Sequence, residues 1–174
     1  KASPAFKRTY FEFFDRTCNP KTGLWEKDPV PEFTRHLQIG DSFHFYFNYS
    51  EAHRAFPYPE ALIDSCLDAY RNNAFGEPFG RRFHFIEMDW IYCLNRSTYQ
   101  TAHRFDEVKS TLYEFAEGYI SCLKGMDYKT NYSANDLHLL FGGTCALAEL
   151  QKALPGIIVS DISTRQVLDS RPFI

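Results

Sequence analysis

The sequence predicts an all-α protein of three αα-hairpins, with outer amphipathic and inner apolar helices. Three observations carry that prediction. Apolar residues recur at three- and four-residue spacing, turn residues punctuate the chain between them, and the pattern repeats at an interval near 47 residues. The first segment spans about residues 4–16, with Ser3 as N-cap and Pro4 at the first helical position. Asn19-Pro20-Lys21-Thr22-Gly23 stops it. The second spans about 38–53, and the third runs from Pro59 to the Asn72-Asn73 pair. The fourth covers about 85–96. The fifth, about 104–123, carries Phe105, Val108, Leu112, Phe115, Ala116, Tyr119, Ile120 and Leu123 as one stripe. The sixth, about 134–154, is closed by Pro155-Gly156.

Odd and even segments differ in kind. The first, third and fifth are amphipathic, with Lys7, Arg8, Asp64, Lys109 and Glu114 on one side. The fourth and sixth read Trp90-Ile91-Tyr92-Cys93-Leu94 and Leu137-His138-Leu139-Leu140-Phe141, apolar most of the way round and therefore buried on most faces. Asp41, Asp89 and Asp136 stand 48 and 47 residues apart, each near the start of an even segment. Gly23-Leu24-Trp25 matches Asn73-Ala74-Phe75, while a third turn near Met126-Asp127-Tyr128 is degenerate. One hairpin per repeat gives three hairpins over 1–156 and a tail, 157–174, that leaves the helical pattern as a short strand, an extended arm or a disordered end.

Composition bounds the function. The chain has 174 residues, 44% hydrophobic and 24% charged, which fits a globular domain. A net charge of −3 argues against a nucleic-acid partner or a polybasic membrane patch. No apolar run is long enough to span a bilayer, and no signal peptide is expected. Because Lys1 is not Met, a processed product, a trimmed chain or a module of a longer protein is expected. Cys18, Cys66, Cys93, Cys122 and Cys145 form no C-x-x-C pair, so they read as buried thiols of a reducing, cytoplasmic compartment, with no metal site or cofactor implied. Aromatics are abundant at 17%, and cluster on the first, second and fourth segments.

The string Asn19-Pro20-Lys21-Thr22-Gly23-Leu24-Trp25, after an aromatic-rich helix, resembles the turn that opens hairpins in six-hairpin glycosidases, notably the unsaturated uronyl hydrolases. It is also similar to the glutamine–tryptophan motif of squalene-cyclase-type terpene cyclases, with Asn19 in the glutamine position. The resemblance spans about residues 4–154 and implies an α/α-toroid, of which three hairpins are half. A second half or a second copy is then expected to complete the ring. The cyclase Asp-x-Asp-Asp motif is absent. Protein prenyltransferases hold zinc with separated Asp, Cys and His ligands; Asp89 and Cys93 fall at a similar helix, but the local string does not match.

A glycosidase-like toroid implies carboxylates at the mouth formed by the inner-helix starts, where proximity drives their pKa values apart into an acid and a base. Asp89, Asp41 and Asp136 are the candidate catalytic residues. Trp90, Tyr92, His44, His138 and Glu87 are the candidate substrate-binding residues, and the expected ligand is a small molecule or oligosaccharide. Glu87 and Asp89 diverge by about 200° on a helix and so cannot both point inward. Each candidate has a plainer reading. Ser133-Ala134-Asn135-Asp136 makes a capping box with Asp136 in the Glu position. First-turn acids suit the helix dipole. His44 and His138 fit core histidines, and aromatic stripes fit core packing. Arg81, Arg82 and His84 read as anion ligands or as a solvated turn. A hydrolase-like module, a non-catalytic helical-repeat binding domain and a terpenoid-type aromatic cavity therefore all remain open.

Overall fold

In a computed structural model the chain is described over residues 2–25, 35–77, 79–162 and 164–169, and every regular element among them is helical. Ser3 caps α1 (Pro4–Thr17), its hydroxyl accepting from the Phe6 amide at 3.2 Å. The turn that follows is dictated by Gly23. Its φ is +67°, and a Cβ there would lie 2.7 Å from the Leu62 backbone nitrogen, so only glycine fits. The turn is tied down by Ser65 Oγ donating to the Thr22 carbonyl at 2.8 Å, by the Tyr46 hydroxyl donating to the Gly23 carbonyl, and by Trp25 Nε1 donating to the Phe14 carbonyl at 2.9 Å. Asn73, the residue aligned with Gly23, is also left-handed at φ +52°. The two left-handed positions stand 50 residues apart.

Helices α2 (Arg35–Glu51), α3 (Pro59–Arg71), α4 (Phe85–Ser97) and α5 (Phe105–Lys124) lie close to their expected spans. The last segment differs. It is broken into α6 (Tyr132–Asn135) and α7 (Leu137–Ala153), because Asp136 adopts an extended conformation and caps α7 itself, accepting from the Leu139 amide at 2.9 Å. The expected capping box with Asp136 as its distal acid is therefore wrong; the side chain needed at a cap is the aspartate's own. On α5 the stripe is buried from Val108 to Leu123, but Phe105 at its head is 41% exposed and lies under the Lys109 ammonium. No strand forms at 157–159. Ile157 and Val159 are exposed, and the chain ends among the described residues in a 3-10 turn, Val167–Asp169. Residues 170–174, including the Pro-Phe-Ile end, lie outside the described residues.

Helix α4 is the centre. It packs against α2, α3, α5 and α7 and is buried from Ile86 to Ser97. Trp90, with no exposed surface, stacks on Tyr70, meets Phe115 at 5.1 Å and donates from Nε1 to the Cys66 carbonyl at 3.0 Å. Helix α7 approaches the start of α4 through Gly142 and Gly143; a Cβ on Gly142 would sit 2.7 Å from the Phe85 Cα.

Burial on all sides forces the polar groups of α4 to find partners inside. Arg96 forms a bidentate pair with Glu149 of α7, at 2.6 and 2.8 Å, and Asn95 Nδ2 donates to the same carboxylate at 2.9 Å. Arg96 Nη2 also donates to Asp169 at 2.8 Å, which Lys152 contacts at 2.5 Å. The turn at 167–169 packs on both α2 and α7, so Arg96 joins α4, α7 and the tail at one point. Removing one member of such a pair strands a buried charge, at a cost of about 3–5 kcal/mol. Glu149→Ala is expected to lower Tm by roughly 10 °C in a thermal melt followed by circular dichroism. Arg96→Met/Glu149→Leu, which leaves no orphan charge, is expected to recover most of that loss.

Candidate functional site

The predicted acids do not occupy equivalent positions. Asp136 is a cap, Asp89 lies in the second turn of α4, and Asp41 lies well inside α2. The 48- and 47-residue spacing therefore does not mark a shared site in the first turn of each helix.

Around the start of α4, three of the candidates do come together. His84 caps the helix, its Nδ1 accepting from the Ile86 amide at 3.2 Å. Burial, then the charges of Arg82 and His138, lower its pKa to about 4 and keep it neutral. Glu87 Oε2, 3.9 Å from that nitrogen, gains no proton donor from it and has no hydrogen-bond partner. Glu87 Oε1 accepts from the Gly80 amide at 3.0 Å, with Arg82 Nε at 3.7 Å. Burial raises the Glu87 pKa against the pull of those donors. Asp89 leaves the helix toward α2, where its Oδ2 would lie 3.2 Å from a Cβ on Gly40. Burial pushes its carboxyl well above the usual range, and the nearby charges of Glu87 and Asp41 add to the effect. The two acids diverge as their spacing requires, yet both are buried, because α4 has no outward face.

The other candidates scatter. Asp41 and His44 are exposed on α2, and His138 is exposed at the start of α7, where its ring stacks on Phe85 at 4.8 Å. Neither histidine belongs to the core, contrary to the plainer reading; each lies on the outward side of a helix that is buried on the other. Trp90 and Tyr92 are fully buried. None of the main clefts among the described residues is lined by Asp41, Glu87, Asp89 or Asp136. No group of three or more His, Cys, Asp or Glu side chains among the described residues is placed to hold a metal ion. Four of the five cysteines are buried and none forms a disulfide among the described residues; burial pushes the Cys66 and Cys93 thiols up and Cys145 to about 11, which disfavours the thiolate.

The open chemistry lies elsewhere. A cleft of about 550 Å³ opens between the end of α3, the 73–81 turn and α5, with Tyr70, Phe75, Phe79 and Phe115 among its walls and Glu77, Arg81 and Glu114 at its edge. Beside it, Asp64 of α3 binds Arg104 at 2.6 Å and His103 at 2.9 Å, and Arg104 continues to Glu107 at 2.7 Å. These partners hold the Asp64 carboxyl below its usual range despite partial burial. The sequence pointed to Arg81 but to neither the cleft nor the Asp64 cluster; Gly118, which interrupts the long amphipathic α5, was a signal for the cleft, and Glu149, alone in the apolar run Ala146-Leu147-Ala148-Glu149-Leu150, was a signal for the buried partner of Arg96. No family model matches the chain, and neither a curated protein nor a solved structure matches it significantly. No helix among the described residues is long and apolar enough to cross a membrane.

The buried acids fix a pH dependence. Asp89 has a raised folded pKa, so its contribution to stability is full below the unfolded carboxyl value and is lost as pH rises through the folded one. Asp89→Asn keeps the shape and cannot ionise. Its Tm advantage over the parent is expected to grow as pH rises from about 5 to about 8, read by differential scanning fluorimetry. His84 acts in the opposite direction. Its stabilising preference for the neutral form is lost as pH falls from about 6.5 toward about 4.

Proposed function

We propose that the protein is a non-catalytic helical binding domain. The observation that carries this reading is the sealing of α4 by its neighbours, with the 167–169 turn lying on α2 and α7. The clefts lie away from the candidate acids Asp41, Asp89 and Asp136: between α1 and the end of α2, around the start of α3, and along α3 and α5. A carboxyl that caps a helix, as Asp136 does, is already committed to the backbone.

A hydrolytic reading, with Asp89 as acid and Asp41 as base, is favoured by one observation. Burial first, then the charges of Glu87 and Asp41, raise the pKa of Asp89, so an acid whose neutral form is favoured lies near one that is exposed. The α/α-toroid kinship, and with it a second half or a second copy, is part of the same proposal. Leu137 and Phe141, exposed on α7, are apolar side chains that such a contact would cover.

One assay separates the two. The parent and Asp89→Asn are incubated with a panel of aryl glycosides and unsaturated uronyl oligosaccharides. The binding-domain reading expects no turnover that depends on Asp89. Turnover by the parent that falls about a hundredfold or more in Asp89→Asn establishes the hydrolytic reading in its place.

A further inference from the structure

We propose that the cleft between α3, the 73–81 turn and α5 is a binding site for a pyranose sugar ring; this rests on the binding-domain reading and names its ligand class. Its volume, about 550 Å³, lies within the range of small-molecule sites.

Three properties of the cleft select the ligand. The first is an aromatic wall. Phe75 and Phe79 are stacked at 4.1 Å, Phe79 meets Phe115 at 5.3 Å, and Tyr70 adjoins both through Trp90 and Phe115. This rigid wall is anchored in the core and costs little entropy to present. The C–H face of a pyranose is the apolar surface that matches it.

The second is an uncommitted polar edge. The side chains of Asn73, Glu77, Arg81 and Glu114 make no hydrogen bond or ion pair with the described residues, whereas Arg71 beside them is already paired with Glu107. The edge therefore presents donors and acceptors together, two carboxylates, a guanidinium and an amide lining one cleft. A ligand of one charge sign would meet attraction and repulsion at once. A ring of hydroxyl groups, each both donor and acceptor, can satisfy all four, and its hydrogen bonds to the charged groups are of the stronger kind.

The third is the space itself. Gly118 lies inside α5, where glycine costs about 1 kcal/mol relative to alanine. A Cβ at Gly118 would have no atom within 4 Å, so packing does not require the glycine. Its missing side chain leaves the cleft open along the helix.

The test is titration of the 15N-labelled protein with methyl α-D-glucopyranoside, methyl β-D-galactopyranoside, methyl α-D-mannopyranoside and methyl glucuronoside. Benzyltrimethylammonium and phenylacetate serve as single-sign controls. Saturable shifts at the Asn73, Gly80 and Gly118 amides with at least one glycoside, and not with the controls, are expected. Arg81→Ala and Glu114→Ala, both at exposed positions, should each weaken that binding about tenfold. Gly118→Leu should abolish it, while Gly118→Ala, which is expected to melt higher than the parent, controls for folding of the helix. Saturation by a single-sign control instead of the glycosides overturns the ligand class and leaves the binding-domain reading standing. Glycoside shifts that map elsewhere, or the absence of saturable shifts with every glycoside, overturn the site. Asp89-dependent turnover in the aryl glycoside assay overturns the underlying reading independently of both.

Discussion

The rest of the fold depends on the burial of α4 along its whole length. A helix with neighbours on every side has no face on which to leave a charge, so every polar group on it must be neutral, paired or capped. Arg96 and Asn95 meet that demand through Glu149. Ser97 meets it by donating to the Cys93 carbonyl at 2.7 Å. At Glu87 and Asp89 burial raises the carboxyl pKa and favours the neutral form. The tail is drawn into the same constraint. Asp169 shares Arg96 with Glu149, and this fastens the 167–169 turn over α2 and α7.

That constraint also divides the molecule by function. Rings that would be candidates for stacking on a ligand, Trp90 and Tyr92, are consumed by the core: Trp90 by Tyr70 and Phe115, Tyr92 by Phe43 and the Arg96 guanidinium. The aromatic excess is therefore mostly structural, since rings fill the wide spaces between helices that smaller side chains would leave void. What the core does not use emerges at its edge. Phe79 and Tyr70 are only partly buried, and they reach the surface where the 73–81 turn leaves α3 and where Gly118 thins α5.

Much of the fold was legible in the sequence because it is local. Ser3-Pro4 and the three- and four-residue spacing along α5 are patterns within a few residues, and the turns at Gly23 and Asn73 show in their residue types, although distant Leu62, Ser65 and Tyr46 fix the first of them. The break at Asp136 was harder to see. Asp136 looks the same as a distal acid of a box or as a cap, and its extended backbone decides between them. The acids of the candidate site were found as residues but not as a set, since their mutual placement depends on where α2 and α7 meet α4.

By itself, the sequence determined the all-α class, most of the helix spans and the burial of α4 on most of its faces, because periodicity and the share of apolar positions around a helix are properties of one continuous segment. Tertiary structure alone decided that Glu87 and Asp89 are shut in together, that Arg96 finds Glu149 some 53 residues away, and that the open cleft lies along α3 and α5. The reason is physical: desolvation, ion pairing and concavity arise only between segments, and no residue carries them before its distant neighbours arrive.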